Sequence, residues 1–321
     1  MNDNTWSWAR LAAALASVLA SGCQNATEQA VAVEPADSGV RRYEIVQAIA
    51  ANGQSVVGGT QTGVVLSSAD GGATWARHGG GPHSFVAVAA CPDGSFFAAD
   101  FYHHVVPIDA KGSPGKRLPL EKPETPLAVA CDANGRWWVV GTFATVAVSA
   151  DRGASWQVQD LGEDAHLTAI QFIDAGNAVM AGEFGLLFTS TDGGTTWTRA
   201  PAIPNEFYPY SAYFSSASEG WLAGIAGQVL RTGDGGGTWV REPNATGFAF
   251  YRMFVADGRL FGVGSGGVAE RSADGTWKAV PVEAPMPAFL GAAAPVTTES
   301  GQSTVVVGGL GATQRVGLSA G

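Results

Sequence analysis

The chain has 321 residues, 46% hydrophobic and 14% charged, with 44 glycines and a net charge of −10. An acidic chain without a basic stripe argues against a nucleic-acid partner, and no G-x-x-x-x-G-K-S/T loop offers a phosphate cradle. Short Val/Ala/Phe runs broken by glycine-rich turns predict many short strands, an all-β fold rather than a helical one.

The first 23 residues, MNDNTWSWARLAAALASVLASGC, carry one arginine, an apolar stretch from Leu11 to Ala20, and small residues before Cys23. This reads as a secretory signal too short to span a bilayer. Its ending resembles a bacterial lipobox, which implies that Cys23 becomes the lipidated first residue of the mature protein. Gln24 in place of Asp implies, in a Gram-negative host, sorting to the outer membrane. Residues 24–40 are small and polar and read as a flexible tether, which leaves 41–321 as one domain. The expected location is the cell envelope, facing the periplasm, with the lipid as the only membrane contact.

Beyond the tether the chain repeats. Turn aspartates recur at Asp70, Asp151, Asp192, Asp234 and Asp274, followed by tryptophans at Trp75, Trp156, Trp197, Trp239 and Trp277. The gaps between the aspartates are 81, 41, 42 and 40 residues, so the first gap holds two periods. Asp109 marks the copy in between, with Pro114 where tryptophan would stand. A glycine ten residues ahead of the aspartate recurs at Gly141, Gly182, Gly224 and Gly264, with Ala99 in its place in the second copy. Gly59 is one residue out of step, and Gly308 opens a seventh copy. Four-stranded units at this period are propeller blades, which bury their faces against one another. The seventh copy ends before its fourth strand, so residues 38–44 are expected to supply it, closing the ring and removing a free sheet edge.

The string S/T-x-D-x-G-x-T/S-W resembles the Asp-box of bacterial neuraminidase repeats. Its chemistry is local: the carboxylate accepts N–H bonds within the turn, glycine allows positive φ, and tryptophan covers apolar surface between blades. Five copies at a fixed pitch point to a scaffold, since a catalytic carboxylate is needed only once or twice. The wider units AVMAGEFGLLFTSTDGGTTW (178–197) and GWLAGIAGQVLRTGDGGGTW (220–239) are similar to the repeat of the photosystem II stability/assembly factor family. That resemblance implies a seven-bladed propeller without catalysis or cofactor. It also implies a protein partner, of the membrane-protein assembly-intermediate kind, met on the lumenal or periplasmic side. Family partner binding leans on an arginine-rich patch, whereas Arg77, Arg199 and Arg241 here are spread over three blades.

Asp-boxes also occur in sialidases, so a glycoside hydrolase is the alternative. A sialidase carries its first arginine in an F/Y-R-I-P segment ahead of the first box, and none precedes Asp70; YRMF at 251–254 lies in the sixth blade and lacks the proline. No catalytic residue is therefore assigned. His103 and His104 are neighbours on a predicted strand and face opposite ways, and His78 and His83 flank GGGP with nothing at ligand spacing. No metal site is read.

Cys91 and Cys131 end AVAAC and LAVAC, the inner strands of blades 2 and 3. A disulfide and two small buried apolar residues are both open, since a bridge needs Cα atoms within about 7 Å. The turns between second and third strands carry Phe101, Phe143, Phe184 and Leu310, two residues after the landmark. Connectors on the same face carry Glu121, Glu124, Asp160, Glu163, Asp164, Glu206, Glu242 and Glu283, with Lys122 the only Lys or Arg among them. An apolar cluster rimmed by acids is a possible protein-binding face, and rings plugging the channel mouth are the other reading.

Overall fold

The computed structural model describes residues 39–282, 286–287, 289–297 and 303–318. Seven antiparallel sheets follow one another in chain order, over residues 46–79, 85–119, 126–160, 167–199, 209–242, 250–279 and 290–317. They are the seven blades of a propeller. Each of the first six has four strands in simple up-and-down order, and the seventh has three among the described residues, Leu290–Thr297, Ser303–Gly309 and Ala312–Gly317.

Strands inside a blade read as continuous apolar runs because both faces are covered. Trp137–Gly141, Ala178–Gly182 and Gly220–Gly224 are buried at every residue. The core is divided into seven clusters, each shared by two neighbouring blades, including one that joins blade 7 to blade 1 through Val46, Leu66, Val296 and Val306. Every box tryptophan packs into the cluster between its own blade and the preceding one: Trp75 at blades 7 and 1, Trp156 at 2 and 3, Trp197 at 3 and 4, Trp239 at 4 and 5. Trp277 is completely buried between blades 5 and 6, where its indole N–H donates to Glu242 at 3.0 Å.

Closure runs through the N-terminal segment, with a local form that differs from the expected strand. Ile45 makes an antiparallel bridge to Leu310, and the Gly311 amide donates to the Glu44 carbonyl at 2.7 Å. Residues 41–44 form a turn, held by the Glu44 carboxylate, which accepts the Arg41 amide at 2.8 Å and both Arg77 Nη atoms at 2.7 Å. The rest of the proposed donor strand, at residue 38, lies outside the described residues, as do Cys23 and the tether up to that point.

Cys91 and Cys131 are bonded, with Cα atoms 5.1 Å apart and a sequence separation of 40. Neighbouring inner strands converge toward the channel, which brings these two chain positions within reach.

Candidate functional site

The Asp-box turns sit at the end of each blade formed by the third and fourth strands. Asp192 accepts the Thr196 amide at 2.9 Å, the Thr196 hydroxyl at 2.7 Å and the Ser190 hydroxyl at 2.8 Å, while Ser190 Oγ accepts the Gly194 amide at 2.8 Å. Asp70, Asp151 and Asp234 repeat this pattern with Thr74, Ser155 and Thr238. Thr196, Ser155 and Thr238 hold the carboxyls of Asp192, Asp151 and Asp234 down to about 2. At Asp70 burial pushes upward, but the Thr74 hydroxyl and amide outweigh it and the carboxyl is lowered. Asp274 is also lowered, by the Thr276 amide. In the tryptophan-free second blade Asp109 still accepts the Lys111 and Ser113 amides. These carboxylates are committed to their own turns.

The opposite end of the ring carries the turns between second and third strands and the connectors between blades. Here strand pairing revises the sequence register. Each inner strand has one extra residue at the same level, at Gln47, Val86, Leu127, Thr168, Tyr210, Tyr251 and Gly291. Opposite the residue before this bulge stand Thr60, Asp100, Gly141, Gly182, Gly224, Gly264 and Gly309. The landmark is therefore Asp100 rather than Ala99 in blade 2, and Gly309 rather than Gly308 in blade 7. Glycine is favoured there because the bulged strand comes close: a Cβ on Gly141 would lie 1.9 Å from the Thr125 carbonyl, and one on Gly264 1.7 Å from that of Ala249.

In this register Phe143 and Phe184 are equivalent, and Phe101 and Leu310 stand one position earlier. All four are exposed, at 48%, 62%, 49% and 48%. Phe143 and Phe184 sit at φ 55° and 56°, in the left-handed region that a bulky residue rarely adopts, and the matching Ala226 at 56°. Of the acids on this face, Glu121, Asp160, Asp164 and Glu206 are exposed; Glu124 pairs with Lys122 at 2.8 Å and Glu163 with Arg199 at 3.1 Å. Glu242 does not belong to the rim: it is buried and anchors Arg271 and Trp277 of the next blade. Glu283 lies outside the described residues.

Two features escaped the sequence reading. The first is a cluster of His83, Asp100 and His104, with donor atoms all within 4.8 Å of one another. His103 is in the turn at φ 64°, not on a strand, and His104 begins the strand His104–Ile108. The second lies in the central channel, which holds a cavity of about 160 Å³. The residue after the bulge is Ala48, Ala87, Ala128, Ala169, Ser211 and Ala292 in six blades and Arg252 in the sixth of the ring. Arg252 is exposed to the channel.

Residues 109–205, from the end of blade 2 through blade 4, match the family model described as photosynthesis system II assembly factor YCF48. Over that stretch the propeller is similar to the photosystem II assembly factors. The chain is 35% identical over 117 residues to the photosystem II assembly lipoprotein Ycf48 of Synechococcus sp. (strain CC9902). That stretch is 34% of this chain, and the match spans 35% of the relative's length. Among solved structures, YCF48 bound to a D1 peptide superposes with a TM-score of 0.66 at 14% identity, covering 90% of this chain and 96% of that one. A streptogramin B lyase superposes with a TM-score of 0.71 at 12% identity, covering 87% of this chain and 94% of the lyase. At such identities these two likenesses speak for the fold alone.

Proposed function

We propose that this assembly-factor-like propeller is a lipid-anchored, periplasm-facing scaffold that binds an envelope protein during its assembly and carries out no catalysis. The observation that carries the reading is the pair Phe143 and Phe184. Backbone strain at an exposed aromatic costs about 1 kcal/mol or more and contributes nothing to the core, so its retention in two successive blades favours a contact made outside the molecule. The exposed acids around them favour a partner with a basic segment. A relative named as an assembly lipoprotein and a solved propeller bound to a D1 peptide support a protein partner of the membrane-assembly kind. The lipobox-like Cys23 and the polar stretch behind it support the anchor.

The second reading is a hydrolase. It draws on the Asp-boxes of sialidases. The box carboxylates argue against a catalytic use for themselves, since each is occupied by its own turn.

A photoreactive residue placed at 143 or 184 of the full chain, expressed in its own host, is expected to crosslink one discrete envelope protein. The same residue at Thr195, on the Asp-box face, is expected to give none. Equal labelling from both faces, or none from 143 and 184, overturns the reading. Cys23→Ala is expected to move the protein from the membrane to the soluble fraction.

A further inference from the structure

We propose that His83, Asp100 and His104 form a binding site for a divalent transition-metal ion of the zinc class. His83 precedes the inner strand of blade 2, Asp100 ends its second strand and His104 begins its third, so one turn end of a single blade gathers all three. His83 Nδ1 lies 3.7 Å from Asp100 Oδ2, and His104 Nδ1 lies 3.5 Å from Asp100 Oδ1. An ion about 2.0–2.2 Å from each donor holds such atoms up to about 4 Å apart, so small ring rotations complete the set.

Three further observations favour an ion over bare packing. Both Nδ1 atoms are buried without a hydrogen-bond partner among the described residues, although both aim at the same carboxylate. A neutral imidazole nitrogen left in that state has a lone pair to offer. Asp100, fully buried, takes the place that glycine holds in five other blades, so blade 2 departs from the repeat to put a carboxylate there.

The carboxylate also has capacity left. Of its roughly four lone-pair sites, Oδ1 uses two on the Tyr102 and His104 amides, and Oδ2 uses one on Arg117 at 2.6 Å. The remaining site on Oδ2 faces His83. Arg117 and the amides are then the outer partners that ligating carboxylates commonly keep.

Two imidazole nitrogens and one carboxylate oxygen are a donor set for zinc, nickel or copper rather than magnesium or calcium, which prefer oxygen alone. The Tyr102 ring lies 5.6 Å from that of His83 and is exposed, so the site opens on the face that carries Phe101. A fourth ligand can come from water there, as in three-ligand zinc sites.

Zn²⁺ titrated calorimetrically into the full-length chain, purified metal-free in detergent, is expected to bind one ion per chain. His83→Ala and His104→Ala are each expected to weaken binding at least about tenfold, while His166→Ala, on blade 4, leaves it unchanged. Excess Zn²⁺ is expected to raise the melting temperature of the unaltered chain but not that of the His83→Ala/His104→Ala double variant, whose metal-free melting and circular dichroism control for folding. Absence of saturable binding, or binding that persists in the folded double variant, overturns the assignment.

Discussion

Asp192 keeps its proton off because the Thr196 amide and hydroxyl hold the charged form, and the same holds at Asp151 and Asp234. A carboxyl depressed on folding contributes stability that is present above the ordinary carboxylate range and is lost as pH falls through the folded value. Asp192→Asn is therefore expected to lower the melting temperature at neutral pH, with the difference from the unaltered chain closing as pH falls from the usual Asp range toward 2; a pH-independent difference would contradict this. Ala226 makes the converse case. It holds φ 56° at the position of Phe143 and Phe184 without an aromatic ring to present. Ala226→Gly is expected to stabilise the fold by about 0.5–1 kcal/mol in urea unfolding. Residues of the first kind were legible in sequence because the Asp-box is built from partners within four positions. Asp100 was not, since Asp109 stands one residue earlier along its third strand than the box aspartates do, so that counting back ten from it reaches Ala99, and its histidine partner His83 lies in a loop with no periodic mark.

At the scale of the element, blades 2 and 3 are joined by more than packing. The bond between Cys91 and Cys131 closes a separation of 40 residues, the loop that includes the weakest copy of the repeat, with Pro114 in place of tryptophan. Blades 1 and 2 share a cluster that no box tryptophan enters. In the chain-entropy account a loop of this length contributes roughly 3–4 kcal/mol, and replacing both cysteines by alanine is expected to cost about that much in denaturant unfolding. Spacing showed that the two cysteines stand at matching ends of neighbouring inner strands. It could not supply the distance between those ends, which depends on how tightly seven inner strands crowd one channel. The same limit hid Arg252: its neighbours in the ring are alanines and a serine of six other strands, 40 or more residues apart along the chain.

For the whole molecule, pitch and length foretold seven blades because every copy repeats the same local problem, one uncovered sheet face on each side. The join of the ring is where the copies stop being alike. Glu44, almost completely buried, pairs with Arg77 and bonds the Arg41 amide, and Arg77 also donates to the Gly39 carbonyl. The Arg77 guanidinium, ahead of the opposing effect of burial, brings the Glu44 carboxyl down to about 2. Arg77→Met leaves that carboxylate without its partner and is expected to cost about 1–3 kcal/mol. The loss should fade as pH falls from the ordinary Glu range toward 2, where the unaltered chain loses the same pair. Six junctions of the ring are continuous polypeptide, and at the seventh the described residues contribute the Ile45–Leu310 bridge, the Gly311–Glu44 amide bond, the Arg77–Glu44 pair and the packing beneath them. The propeller thus has a seam in a definite place: the amides of Ile45 and Gly311 should exchange with deuterium well before those of Trp137–Gly141. A circular permutant that joins the present ends and opens the chain elsewhere should shift that early exchange to its own new seam.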